Sequence, residues 1–115
     1  MDDDQKSVVD FADFQKIDIR IGRITEVLPF PRARNPSYKV AVDLGALGVR
    51  WSSAQITSYS VEALVGRQVA CVCNFAPRNI AGFASEVLIL GARDADGNVI
   101  VLSPTSTVQL GQAVF

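Results

Sequence analysis

The sequence predicts an all-β fold, an OB-type Greek-key barrel of about five to six strands. Three observations predict it. Short runs of alternating apolar and polar residues are separated by turn-forming Gly, Pro, Asn and Asp. No strand–helix–strand alternation calls for a parallel sheet. One short helix is expected between the third and fourth strands, which separates an OB barrel from an SH3-like barrel or a sandwich. At 115 residues the chain is one domain, able to bury about 65% of its unfolded surface.

The elements follow in order. Residues 1–6 are a polar, acidic tail expected to be disordered, and residues 7–115 are the domain. Val8, Phe11 and Phe14 recur every three residues, which predicts a helix of two or three turns with one apolar face. From Ile17 the period becomes two: Ile17, Ile19 and Ile21 share a face. After Gly22 the apolar phase slips by one residue, which predicts a β-bulge in a long, bent first strand. Pro29, Pro31 and Pro36 mark a loop. Residues 38–44 alternate as a second strand, Gly45 to Gly48 turn, and residues 49–53 make a third. Ser58 or Ser60 caps a short helix over residues 61–64, closed by Gly66. Residues 68–74 are a fourth strand, 75–83 a loop and 85–92 a fifth strand. Asp96-Gly97 is a hairpin turn into residues 98–102. The tail from Ser103 has little pattern and leaves room for a short edge strand.

Composition excludes several chemistries. There is no histidine, which removes histidine-based triads, metal ligation and proton relays. Cys71 and Cys73 are alternate strand residues on one face, a poor geometry for a mutual disulfide, and two thiols close no zinc site. They read as reduced core thiols. Glycine-rich phosphate loops and nucleophile elbows are missing, and the residues around Asp96-Gly97 lack the glycine position and late glutamate of a calcium loop. The sequence therefore predicts no enzyme, no cofactor and no metal. Met1-Asp2-Asp3-Asp4 is the reverse of a basic, apolar secretory signal, and no apolar run is long enough to span a bilayer. Cytoplasmic residence without membrane insertion is expected.

The chain carries 11 basic and 12 acidic residues, net −1. The first ten residues hold four of the acids and one of the bases, leaving 105 residues with net +2. A nucleic-acid site must then be a local patch rather than a property of the whole charge. Three polar stretches fall where barrel loops or rims are expected: Arg32-Ala33-Arg34-Asn35 with Lys39, residues 50–55, and residues 74–86. Each mixes a cation, a small polar group and an aromatic, the parts that contact phosphate, base edges and base faces in RNA. Plainer readings stand beside this. Trp51 on an alternating strand suits a core as well as a stacking platform. Phe75 and Phe83 can pin a loop to the barrel. Arg32 and Arg34 by themselves are a solvated loop. Glu86 can pair with Arg78 or Arg20.

Residues 11–24, Ser52-Ser53-Ala54-Gln55-Ile56 and residues 74–88 together resemble three successive signatures of the tRNA-binding-domain OB-fold family, in order and with few gaps. Within it, the Ser-Ser-Ala-Gln-Ile run and Glu86-Val87, where many relatives have Glu-Gly, resemble a stand-alone bacterial subgroup described as protein-secretion chaperones. The resemblance implies an OB-fold, a homodimer, and binding of tRNA without catalysis. For the subgroup it also implies unfolded or precursor polypeptides and the protein-translocation motor as partners. Carried over residue by residue, it puts Ser52, Ser53, Gln55, Asn74, Arg78, Asn79 and Ser85 on an RNA face, with Lys39 and Arg50 adjacent. It points to Val8, Phe11, Phe14 and Phe115 as dimer contacts. A polypeptide groove would be lined by Phe30, Trp51, Phe75 and Phe83. Two functions are expected to coexist: a chaperone for export-bound or unfolded polypeptides and a tRNA-binding face. The alternative is a dedicated tRNA-binding module.

Overall fold

The first strand, β1 (Ile19–Pro29), organises the molecule because it serves two neighbours. The computed structural model describes residues 4–115. The first half of β1 pairs antiparallel with β4 (Gln68–Val72), and the second half with β2 (Tyr38–Asp43). The expected bulge is present: the β1–β2 register shifts between Ile24 and Glu26. Such a bend lets one strand pass from one wall of a small barrel to the other. Gly22 sits where the walls meet. A Cβ there would lie 2.4 Å from Val42 Cγ1 and 2.7 Å from Leu44 Cδ2, so only glycine lets β1 approach β2 this closely.

The main sheet runs β3-β2-β1-β4-β7, where β3 is Val49–Ala54 and β7 is Leu88–Ile89. Its ends meet through a seam rather than a regular ladder. The Glu86 N–H donates to the Trp51 carbonyl at 2.8 Å. The Trp51 N–H donates to Glu86 Oε1 and the Ser53 N–H to Ser85 Oγ, each at 2.9 Å. Side-chain oxygens thus satisfy β3 donors that a strand neighbour would otherwise take. One oxygen of Glu86 serves this seam, and the plainer reading of an ion pair with Arg78 or Arg20 is not what the carboxylate does. The result is a nearly closed five-stranded antiparallel barrel of OB type.

The core is the inward face of these strands: Ile24, Val40, Val42, Leu44, Leu64, Val69 and Cys71 are almost wholly buried. Cys71 and Cys73 are both buried and free. Burial, and then the neighbouring Cys73, pushes the Cys71 thiol up to about 12. Helix α2 (Val61–Leu64) lies between β3 and β4 as expected. Ser60 caps it, its side chain accepting the Ala63 N–H at 3.2 Å, and its Leu64 is buried under the barrel.

Three expectations change. The N-terminal helix α1 is shorter than the apolar spacing implies, spanning Phe11–Gln15. It starts where Asp13 Oδ2 accepts the Asp10 N–H at 3.2 Å, so Val8 precedes it. Residues 75–83, expected as loop, contain a hairpin of β5 (Arg78–Ile80) and β6 (Phe83–Ser85). Its two turn residues, Ala81 and Gly82, both have positive φ, 50° and 86°. That is the type I′ pattern, written with Ala-Gly instead of the Asn-Gly that betrays it in sequence. The expected fifth strand over 85–92 is broken. β7 pairs with β4, and β8 (Gly91–Arg93) leaves to form a hairpin with β9 (Val99–Val101) around Asp96-Gly97. The C-terminal segment does pair at an edge: the Ile21 N–H donates to Gln112 and the Val114 N–H to Ile19, with a bridge between Arg20 and Ala113. Of the tail expected over residues 1–6, residues 1–3 lie outside the described residues, and residues 4–6, like 7–10 after them, are exposed without regular structure.

Candidate nucleic-acid interface

The β5–β6 hairpin stands over the outer surface of β3 and divides it into concave regions. The largest is an open cavity of about 440 Å3 between the 30–37 loop, the end of β3, the hairpin and the start of β8. Three arginines line it, Arg34, Arg78 and Arg93, together with Asn35, Ser53 and Gln55. Ile80, Leu88 and Ile89 supply apolar lining. No carboxylate is in the lining. Among the described residues the ion pairs are Lys16–Asp13 and Arg20–Asp18, so all three arginines keep their charge unpaired. Arg93 is steadied by donating to the Gly97 carbonyl at 2.9 Å. A low-polarity floor walled by cations of one sign focuses positive potential, although the chain as a whole is net −1.

A smaller cavity of about 180 Å3 adjoins it and shares Ser53, Arg78, Ile80 and Leu88; Phe75, Ser85 and Glu86 complete its polar and aromatic lining. On the other side of the hairpin, about 290 Å3 is enclosed by Phe30, Pro31, Arg32, Lys39 and Phe83 with the turn at Ala81 and Gly82. Here Lys39 Nζ lies 4.8 Å from the Phe30 ring centroid and 5.1 Å from that of Phe83. Phe83 meets Phe30 at 5.4 Å and Trp51 at 6.1 Å, both edge to face.

The expected RNA residues separate on this surface. Ser53, Gln55 and Arg78 meet in the large cavity, Ser85 in the smaller one and Lys39 across the hairpin. Ser52 is only 1% exposed and points into the barrel, as strand alternation on β3 requires. Asn79 caps the hairpin turn, its Oδ1 accepting the Gly82 N–H at 2.8 Å. Asn74 ties β1 to the end of β4, accepting from Asp18 N–H and donating to the Lys16 carbonyl. Arg50 donates to the Cys73 carbonyl at 3.2 Å. The last four thus have structural partners, and none of them lines the arginine cavity. Sequence reasoning missed Arg93, which nothing marks locally, and named Arg34 in a candidate polar stretch, with a solvated loop as the plainer reading, without carrying it onto the RNA face. The 30–37 loop after a long first strand was the available signal for Arg34.

The expected polypeptide set does not form one groove. Phe30, 5% exposed, packs with Phe83 and Trp51 as a ring cluster, while Phe75, 50% exposed, stands apart at the smaller cavity. The open apolar surface lies elsewhere. Phe11, Phe14, Ile17, Val114 and Phe115 line a concavity of about 370 Å3 between α1 and the C-terminal segment. Phe11 is 70% exposed and Phe115 entirely so. Val8 is exposed too but outside that concavity.

Residues 19–113 match the family described as "Putative tRNA binding domain". The chain belongs to the tRNA-binding-domain family. Two solved structures resemble it throughout. The chaperone CsaA of Bacillus anthracis is 41% identical with a TM-score of 0.89, over 95% of this chain and 100% of that one. The CsaA chaperone protein of Picrophilus torridus is 42% identical with a TM-score of 0.89, over 94% and 100%. The methionine--tRNA ligase of Porphyromonas gingivalis is 38% identical over 104 residues, 90% of this chain. The chain spans only 15% of that ligase's length. It is a CsaA-like member of the family with the OB-type fold those structures share. Among the described residues, no group of three or more His, Cys, Asp or Glu could hold a metal ion, and no helix is long and apolar enough to cross a membrane.

Proposed function

We propose that this chain is a non-enzymatic binding protein whose hairpin-side surface holds tRNA. The observation that carries the reading is the cavity of three unpaired arginines around an apolar floor, with hydroxyl and amide groups at hand. Guanidinium groups bind phosphate in bidentate fashion, and the strand-3 side with its adjoining loops is where OB barrels take oligonucleotides. Family membership and the tRNA-ligase relatives agree with that ligand. Titration of labelled tRNA at several salt concentrations tests it. Log affinity should fall with log salt by roughly 0.7–0.9 per phosphate neutralised. Affinity that ignores salt, or no binding at low salt, defeats the reading.

A second activity, as a CsaA-like chaperone of unfolded or export-bound polypeptides, is favoured by a different observation. The α1 and C-terminal surface exposes a contiguous run of large apolar side chains, and such patches mark partner sites. The homodimer contact expected at Phe11, Phe14 and Phe115 falls on the same surface, so a dimer formed there competes with a polypeptide for it and brings two arginine faces to one tRNA. An assisting role at the translocation motor and a cytoplasmic location belong to this reading. An unfolded preprotein segment that binds without displacing tRNA supports two surfaces. Failure to suppress client aggregation at several-fold molar excess removes the chaperone activity and leaves a dedicated tRNA-binding module.

A further inference from the structure

The smaller cavity beside Phe75 has a chemistry of its own, and we propose that it reads one unpaired guanine base. This deepens the RNA-binding reading and rests on it. The cavity is about 180 Å3, below the ~300–1,000 Å3 of pockets for drug-sized ligands, so it suits a single planar ring system. It opens into the arginine cavity past Arg78, which lines both. A strand whose base enters the small cavity therefore has its phosphate beside a free guanidinium.

The lining selects the base. Phe75 is 50% exposed, and among the described residues no other ring stacks on it. An open aromatic face beside a cavity is a stacking platform. Glu86 is the one acid in the lining. Its Oε1 accepts the Trp51 N–H, and among the described residues its other oxygen receives no protein donor. A carboxylate only accepts; it repels phosphate and asks for a neutral group rich in donors. Ser85 Oγ already accepts the Ser53 N–H, which leaves its hydroxyl proton to donate. The wall thus offers a donor beside a carboxylate with one oxygen open and a second lone pair left on the other. The Watson–Crick edge of guanine is its complement: O6 accepts, N1–H and the 2-amino group donate. Uracil sets two carbonyls around its single N–H, and adenine has an acceptor next to its amine. An arginine side chain of a polypeptide would also satisfy Glu86, but Arg78 at the mouth, with Arg34 and Arg93 beyond, repels a cation.

The test uses the full chain with single-stranded RNA pentamers: oligouridine, and the same pentamer with a central guanine, inosine or adenine, with tRNA run in parallel. Guanine should bind about tenfold more tightly than uracil, with inosine, which lacks the 2-amino group, in between. Phe75→Leu alters an exposed side chain and should cost about tenfold in guanine-pentamer affinity. Glu86→Gln keeps an oxygen for the Trp51 N–H and should erase the guanine preference without lowering the melting temperature by more than a few degrees. Equal affinity for all four pentamers overturns the proposal, as does Phe75→Leu without effect. Displacement of the guanine pentamer by an arginine-bearing peptide and not by guanosine monophosphate assigns the cavity to polypeptides and also overturns it. If tRNA binds in a salt-dependent manner while base identity is ignored, base reading fails and the RNA interface stands. If neither RNA binds at low salt, the interface itself fails.

Discussion

Two aromatic groups of similar composition behave in opposite ways. Phe30, Trp51 and Phe83 lie beside the hairpin and pack on one another, with Lys39 laid over two of the rings. Phe11, Phe14 and Phe115 lie beside α1 and the C-terminal segment. Phe11 and Phe14 touch each other at 5.9 Å, yet Phe11 and Phe115 remain open to solvent. The difference comes from what surrounds them. The first group has a sheet beneath it and a hairpin above, so its apolar area is covered within the chain. The second sits on a five-residue helix and the segment beside it, and no element among the described residues packs over it. The hairpin aromatics therefore hold a surface in shape so that cations can act. The terminal aromatics are themselves a surface awaiting a cover.

Four tests break or sharpen that contrast, the largest expected effect first. Arg34→Ala combined with Arg78→Ala should weaken tRNA binding about a hundredfold and flatten the log–log salt slope by roughly 0.7–0.9 for each lost phosphate contact. Phe11→Ala should leave that slope unchanged at a fixed oligomeric state, so equal losses from both variants would merge the two surfaces into one. Next, Phe83→Ala should cost about 2–3 kcal/mol in urea unfolding, below the range for a fully buried ring because Phe83 is half-buried. Phe115→Ala should change monomer stability by under about 0.5 kcal/mol and act on self-association, read by sedimentation. A large stability loss from Phe115→Ala in the monomer would contradict the contrast.

The third test concerns the core under both regions. The Cys71 thiol, pushed up to about 12 mainly by burial, keeps a proton that the unfolded chain releases around the ordinary value of 9.0. The native state binds more protons across that window. Stability should therefore be complete below pH 9 and fall by up to about 1.4 kcal/mol per pH unit as pH rises toward 12. Cys71→Ala should remove most of that slope. An unchanged slope would mean the core is not what alkaline pH attacks. The smallest effect concerns the hairpin turn. Ala81 holds a φ of 50°, and Asn tolerates that region better. Ala81→Asn should stabilise the hairpin side by about 0.5–1 kcal/mol, visible as slower amide exchange in residues 78–85 and no change near α1.

Much of the barrel was legible because its signals are local. Alternation located β1 to β4, the slip after Gly22 announced the bulge, and Ser60 with Gly66 bounded α2. The β5–β6 hairpin was not legible because its turn is written Ala-Gly and its strands are three residues each, too short for a period to register. The fifth strand was read as continuous because residues 85–92 change partners twice without changing composition. The site was legible in part. Arg78, Ser53 and Gln55 were expected and do converge. Ser52 was expected beside Ser53, but adjacent strand residues face opposite ways. Asn74, Asn79 and Arg50 carry polar groups that backbone atoms of the same chain take up.

The sequence by itself determined the barrel, the position of its inserted helix, the family to which the chain belongs and the absence of histidine chemistry. All of these follow from short-range order along the chain. Only the tertiary structure decided which cations stand together. Arg34, Arg78 and Arg93 come from a loop and two hairpins far apart in sequence, and they share a cavity because the Ser85–Glu86 seam folds one hairpin over β3 while β8 turns away from the barrel. Tertiary folding also decided which aromatics are covered, since burial depends on what else packs against a ring and not on the residues beside it.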